Sequence, residues 1–477
     1  MICVTGLEKE TAALEARLTK YSGSLQEVRL DALETLDDSL FSLIKSRNNL
    51  ILTCRTNAEG GHFSGSLHEL QSVLNRALGT NPSYIDVEVS VPDKIRETLF
   101  AKRGNTKLIA SRHRFAKTAD IASDLYELGD APADILKLAV AVEDTVDLIP
   151  LLDLPAPDER PLLRIGMGDA GLMTRAVYRT FGSPWTYVAA EVESTSAPGQ
   201  LTAERAQRWR IGQIENPSLL VLIGGPQVIR SPGADIYNAL FLDEGVNALY
   251  LPLITKHTEV ALRLVERCNG LGASITMPAK LEAALLCSRL SEDAQTSGAV
   301  NTVRFNSGEW SGNNTDVHAL RILLGDSPGR TLILGAGGVA RAVLAIVGNM
   351  GTVAARNKKA AEALASEFGA KAVAWEERGN LPFDSLVQCT PIGSNDEESP
   401  LPEGVDLSGK RVIDAVMLPG GTPLVNRARK AGAWVSGGFE MWSMQGARQM
   451  SLFLGKTFDE ADIRSRLKPL LGGNPDG

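Results

Sequence analysis

The chain has 477 residues, of which 44% are hydrophobic and 22% charged, and a formal net charge of −8. That length exceeds what one core supports, so two or three domains are expected in an ordinary soluble globular protein. Net negative charge without a basic run excludes an electrostatic nucleic-acid binder, and no apolar stretch reaches the ~20 residues of a membrane span.

In chain order, about eight short apolar runs alternate with helical stretches from Met1 to about Trp209. The runs begin at Ile2, Leu25, Asn49, Tyr84, Lys107, Asp134, Pro161 and Trp185, with segments such as "SLHELQSVLNRAL" and "VPDKIRETLFAKRG" between them. This alternation predicts a (β/α)8 TIM barrel over residues 1–210 rather than a doubly wound sheet. Polar residues sit within or at the ends of successive runs: Glu27, Arg29, Arg55, Glu88, His113 and Lys137. In a barrel such positions converge on the C-terminal face, where chemistry is done.

Lys137 is the most unusual of them, because Ile135, Leu136, Leu138, Ala139 and Val140 surround it. Burial strips a lysine of hydration and favours its neutral, nucleophilic amine. Taken alone, the stretch reads first as a strand-end lysine whose charge snorkels outward.

A boundary follows at "IGQIENPS", and the second half alternates strands and helices again. "TLILGAGGVARAVLAIV" places an apolar strand, a glycine turn and a helix in the order dinucleotide binding needs. Gly335 permits the tight turn, and Gly337 lets backbone approach a pyrophosphate at the helix N-terminus. Ala340 stands for the third glycine, so Gly335, Ala336, Gly337, Gly338, Val339 and Ala340 form the candidate loop. At the end of the next strand Arg356, followed by Lys358 and Lys359, suits the 2′-phosphate of NADP rather than a bare ribose. A tight turn without ligand and a solvated basic helix start are the plainer readings of these two features.

The five cysteines show no ligand spacing, and Cys3, Cys54 and Cys389 lie in apolar runs, which suggests buried reduced thiols. "MICVTGLEKE" lacks the pattern of a signal peptide, so a cytoplasmic location is expected. The five histidines form no metal-binding pair, and no protein-held metal is expected.

With its motifs assembled, the first half resembles type I 3-dehydroquinate dehydratase: "EVRLD", "CRTNAEGG", "IDVE", "SRHRF", "LKLAV" and "SAPGQ" correspond in order and spacing. The resemblance implies that Lys137 forms a Schiff base with the substrate ketone, a role that fits an electron-sink mechanism. It implies that His113 is the general base and that Glu88 is the carboxylate orienting it. Arg175 would pair with the substrate carboxylate, Glu27, Arg29 and Arg55 would hold ring hydroxyls, and Ser196 and Gln200 would lie on a closing loop.

The second half resembles shikimate dehydrogenase, through "ITMPAK", "SGAVNT", "GNNTD", "CTPIG", "DAV" and "MWSMQGARQ". The resemblance implies a substrate-binding domain over 217–318, completed by C-terminal helices 445–477, and a Rossmann NADP-binding domain over 319–444. Lys280 and Asp316 would be the catalytic pair. Ser231, Thr276, Asn301 and Gln445 would hold substrate, and Thr390 would line the NADP(H) site. Two positions depart from the family: Ile229 replaces a serine and Met417 a tyrosine, while Gly233 and Ala234 read as an insertion. Losing two hydroxyls should weaken carboxylate binding, which leaves quinate as an alternative substrate of this half. A metabolite-sensing regulator built from the same domains is the non-enzymatic alternative. It would be expected to lack the catalytic residues that this chain retains. The expected partners are therefore small molecules, 3-dehydroquinate, 3-dehydroshikimate and shikimate, with no nucleic acid and no membrane.

Overall fold

The computed structural model describes residues 1–467 apart from 116–119, 193–196, 198, 307 and 396–397. All eight predicted runs form strands: β1 (Ile2–Gly6), β2 (Leu25–Arg29), β3 (Leu50–Thr53), β4 (Tyr84–Glu88), β5 (Lys107–Arg114), β6 (Ile135–Ala141), β7 (Leu162–Met167) and β8 (Thr186–Ala189). They make one sheet in the order β7-β6-β5-β4-β3-β2-β1-β8, with parallel pairing of β1 to β2 and β8. Arg164 spans the interval between β7 and the approach to β8: its backbone N–H donates to Ser183 Oγ at 2.9 Å and its Nη1 to Phe181 O at 2.8 Å.

Inward positions repeat every second residue. At one level of the barrel Cys3, Leu25, Ile51, Ile109, Ile135, Leu163 and Trp185 pack together as a core. The inward positions further along the same strands are polar: Glu27, Arg29, Asp86, Glu88, Ser111 and Lys137 are all buried. Apolar packing below thus supports a charged layer above.

Beyond the barrel a six-stranded sheet has the order β10-β9-β11-β13-β14-β12. Its strands are β9 (Ser218–Gly224), β10 (Ala248–Ile254), β11 (Gly270–Ile275), β12 (Arg289–Leu290), β13 (Thr302–Asn306) and β14 (Glu309–Asn313). A third sheet contains β15 (Thr331–Leu334), β16 (Gly351–Ala354), β17 (Lys371–Val373), β18 (Ser385–Gln388), β19 (Arg411–Asp414) and β20 (Trp434–Ser436). Its order, β17-β16-β15-β18-β19-β20, and its parallel pairing are those of a Rossmann fold, with the strand order reversing at β15. The residues read as an insertion, Gly233 and Ala234, begin a helix over Gly233–Asp243.

The chain divides into two compact units, Met1–Leu219 with Pro226–Asn269, and Leu220–Gly225 with Gly270–Gly477. Within the first unit Trp209 Nε1 donates to Asp235 at 2.7 Å, and the Lys256 N–H donates to Asp144 at 2.8 Å. These bonds group Pro226–Asn269 with the barrel. Among the described residues no helix is long and apolar enough to cross a membrane.

Candidate active sites

The barrel carries a pocket of about 540 Å³ lined by Glu27, Arg29, Arg55, Glu59, His113, Lys137, Arg175 and Gln200, among others. Six different strands and the segments after them supply these side chains, as convergence on one barrel face requires. Ser196 lies outside the described residues.

Lys137 is buried among its apolar neighbours, at 5% exposure, rather than snorkelling outward as the stretch alone suggests, and it is not isolated. Its Nζ donates to Asp86 Oδ2 at 3.0 Å, lies 3.9 Å from Glu27 Oε1, and sits over the Tyr187 ring at 4.5 Å from the centroid. Glu27 in turn accepts from Thr5 Oγ1 at 2.8 Å and Thr53 Oγ1 at 2.9 Å. Arg29 is held by Asp31 through Nε at 2.9 Å and Nη2 at 2.6 Å. Arg55 lines the pocket and is also held by its neighbours, donating to Asp86 at 2.9 Å, Ser111 Oγ at 2.8 Å and Glu88 at 3.3 Å.

The carboxylate at His113 is Glu59, which corrects the assignment of Glu88. Glu59 Oε2 lies 3.0 Å from His113 Nδ1 and accepts the His113 backbone N–H at 2.9 Å. Glu88 instead accepts from the Thr56 N–H at 2.8 Å and Thr56 Oγ1 at 2.5 Å. Strand pairing explains the exchange: Glu88 on β4 is opposite Ser111 on β5, two residues short of His113. The turn Asn57–Glu59 after β3 brings Glu59 to the ring. Glu59 was visible in the sequence as an acidic residue in a glycine-rich loop just past a barrel strand. Asp86, the partner of Lys137, was visible as the inward residue two before Glu88.

Burial, reinforced by the cations of Arg55 and Lys137, holds His113 well below the usual imidazole range, so the ring is neutral at pH 7. Burial pushes the Glu59 carboxyl up to about 7; the Glu88 charge acts in the same direction and Arg55 opposes it. At Asp86 burial is outweighed by Arg55 and Lys137, and its carboxyl is held well below the ordinary range. Arg175, on the helix Leu172–Ala176 after β7, is 2% exposed. Its Nε and Nη2 are buried without a partner among the described residues, and burial lowers its guanidinium to about 10. A buried cation with unused donors calls for an anion in the pocket.

In the second unit Lys280 opens the helix Lys280–Leu286, and its Nζ donates to Asp316 Oδ2 at 2.5 Å. Asp316 sits in the first turn of the helix Thr315–Leu324, where Asn314 Oδ1 accepts its N–H. Asn301 Nδ2 donates to Thr315 Oγ1 at 2.9 Å, and Thr315 Oγ1 reaches Gln445 Oε1 at 3.3 Å. Gln445 belongs to the helix Gly438–Leu454, whose Gln449 also donates to Asn301 O at 2.9 Å and accepts from Ser274 Oγ at 3.0 Å. Thr276, half-buried, follows β11 and donates its N–H to Ile223 O. Ser231 belongs to the other compact unit and accepts the Gly233 N–H at 3.2 Å. Met417 is 38% exposed. Asn314, Thr315 and Gln449, none of them chosen from the sequence, complete the polar lattice.

The dinucleotide loop lies against this site. Gly335 has φ +110°, and a Cβ there would meet Cys389 O and Thr390 Cγ2, both at 3.1 Å. A Cβ on Gly337 would meet nothing within 4 Å, which leaves open space before the helix Gly338–Val347. A Cβ on Gly338 would come within 3.1 Å of Lys280 Cδ. Ala340 is buried, Ala336 and Val339 are partly buried, and Arg356 is exposed two residues past β16. Gln388 clamps the loop after β18, donating to Thr390 Oγ1 at 2.9 Å and Ile392 O at 3.0 Å. A backbone cradle at a helix N-terminus, with a cation beyond the neighbouring strand, fits a dinucleotide carrying a 2′-phosphate.

The type I 3-dehydroquinase family model matches residues 1–210, and that of the shikimate dehydrogenase substrate binding domain matches residues 222–303. A chloroplastic bifunctional 3-dehydroquinate dehydratase/shikimate dehydrogenase of Arabidopsis thaliana is 28% identical, over 90% of this chain and 77% of its own length. A pentafunctional AROM polypeptide of Yarrowia lipolytica is 29% identical over 91% of this chain, which spans 30% of that polypeptide. The dehydroquinate dehydratase and shikimate dehydrogenase portion of S. pombe AroM aligns at 22% identity and a TM-score of 0.42, with 98% of each chain covered.

Proposed function

The chain joins a type I 3-dehydroquinase, residues 1–210, to a shikimate dehydrogenase, and on that premise we propose that it converts 3-dehydroquinate to shikimate in two steps. The barrel removes water to give 3-dehydroshikimate, and the second half reduces that ketone.

In the barrel Lys137 starts as the ammonium paired with Asp86 and gives up one proton. The amine adds to the substrate ketone, that proton ends on the departing oxygen, which leaves as water, and a protonated imine remains. The cationic C=N acidifies the adjacent C–H. Neutral His113 takes that proton, and the electron pair moves into an enamine. Reversal of that flow expels the β-hydroxyl, which leaves as water with the proton held on His113. Hydrolysis of the imine then frees Lys137. Ionised Glu59 accepts the Nδ1–H, which leaves Nε2 as the basic nitrogen. Arg175 pairs with the substrate carboxylate, while Glu27, Arg29 and Gln200 face the ring hydroxyls.

In the second half Lys280 donates a proton to the ketone oxygen, Asp316 holds and orients the ammonium, and solvent returns the proton. Asn301, Thr315 and Gln445 orient the substrate. Gly335–Ala340, Thr390 and Arg356 would hold NADP(H), which supplies the hydride when bound. Five free thiols, three of them buried, support a reducing compartment such as the cytoplasm.

The observation that carries the reading is the meeting in one barrel pocket of a buried lysine, a neutral histidine and a buried arginine with two donors unpaired among the described residues. Supplying 3-dehydroquinate and NADPH should yield shikimate, and borohydride added with 3-dehydroquinate should leave a reduced adduct on Lys137. Absence of both products would overturn the assignment.

A further inference from the structure

Glu88 remains as a carboxylate without a task. It is 2% exposed and is not part of the pocket lining. Desolvating a carboxylate so completely is costly unless bonds and cations compensate. Here four contacts do: the Thr56 N–H at 2.8 Å, Thr56 Oγ1 at 2.5 Å, Arg55 Nη1 at 3.3 Å and Ser90 Oγ at 3.4 Å.

Two of these partners, Thr56 and Ser90, lead to Glu59. Thr56 immediately precedes the turn Asn57–Glu59, so its paired bonds to Glu88 fix where that turn begins. The Ser90 hydroxyl lies between the two carboxyls, 3.0 Å from Glu59 Oε1 and 3.4 Å from Glu88 Oε2. With a single proton it donates to one of them at a time. The charged and titratable groups around Glu59 are the cations Arg55 at 4.0 Å and Arg112 at 3.7 Å, the neutral His113 ring at 3.0 Å, and the negative Glu88.

Resting on the reading of His113 as the base, we propose that Glu88 is a positioning residue of the dehydratase: it anchors the turn that carries Glu59 and, through its negative charge, strengthens Glu59 as the acceptor of the His113 Nδ1 proton. A stronger acceptor at Nδ1 makes Nε2 more basic without bringing a second carboxylate into the pocket.

Glu88→Gln keeps the size and one accepting oxygen and removes the charge. With that repulsion gone, Glu59 ionises at lower pH. The acid limb of kcat/KM for dehydration, which belongs to the Glu59–His113 pair, should then move down by about one unit relative to the parent. We expect kcat to fall about tenfold, while KM for 3-dehydroquinate changes less than about twofold. Glu88→Asp retains the charge on a shorter arm and should lower kcat with the limb unmoved. A folded Glu88→Gln protein with an unmoved limb overturns the electrostatic role, and one with parental kcat overturns the proposal entirely. If Glu88→Gln does not fold, Glu88→Asp decides: reduced kcat with an unmoved limb supports the proposal, and parental kcat overturns it. Failure of the parent protein to dehydrate 3-dehydroquinate would instead overturn the underlying reading of the site.

Discussion

Arg175 shows how one buried side chain can define a ligand's charge. Among the described residues its Nε and Nη2 have no partner, yet the group remains cationic, since burial lowers it only to about 10. Arg175→Met should raise KM for 3-dehydroquinate by roughly a hundredfold, about the worth of one charge-assisted bidentate pair. Removing an uncompensated buried charge should leave thermal stability unchanged or higher. Steady-state kinetics with a thermal melt checks both, and an unaltered KM would remove the arginine from the substrate site. Arg356 is the opposite case, exposed and placed past β16. Arg356→Ala should raise the dissociation constant of NADPH about tenfold and hardly affect NADH, because the lost contact is to the 2′-phosphate. Equal losses for the two cofactors in a binding titration would mark the residue as structural.

At the scale of elements, the turns between strands and helices set the chemistry while the strands set position. The β15 turn depends on Gly335, whose φ of +110° places the loop against Cys389 and Thr390. Gly335→Ala forces a Cβ into that approach and into a backbone region costing about 1–3 kcal/mol. NADPH affinity should fall by about tenfold or more, with dehydration of 3-dehydroquinate unaltered. A fluorescence titration of NADPH matching the parent would show that the turn relaxes without consequence. In the barrel the corresponding element is the turn Asn57–Glu59, whose distance from His113 along the chain hid its role in the site. The helix Gly438–Leu454 acts similarly at long range, since Gln445 and Gln449 reach Thr315, Asn301 and Ser274 from the far end of the sequence.

At the scale of the whole molecule, the two sites draw on separate sets of elements, and their activities should separate by mutation. Lys137 stands on β6 above the barrel's own apolar layer, and Lys280 opens a helix in the other compact unit. Lys137→Ala removes the imine and should nearly abolish dehydration, while reduction of supplied 3-dehydroshikimate stays within about twofold of the parent. Lys280→Ala should do the reverse. A folded Lys137→Ala protein that had lost both activities, each assayed with its own substrate, would sink the two-site account.

Local pattern was enough for the architecture. Strand-helix alternation placed all eight barrel strands, and the glycine turn at Gly335 placed the dinucleotide fold. These properties follow from periodicity and steric freedom, which a sequence displays directly. The partner of His113 was decided elsewhere. Alternation puts Glu88 on the inside of β4, but the register of β4 on β5 leaves it opposite Ser111, and a turn from β3 delivers Glu59 instead. The ion pair of Lys137 with Asp86, the Arg175 donors unpaired among the described residues and the return of Gln445 are of the same kind. Each depends on distances between elements far apart in the chain, and those distances exist only once the strands have paired and the core beneath them has closed.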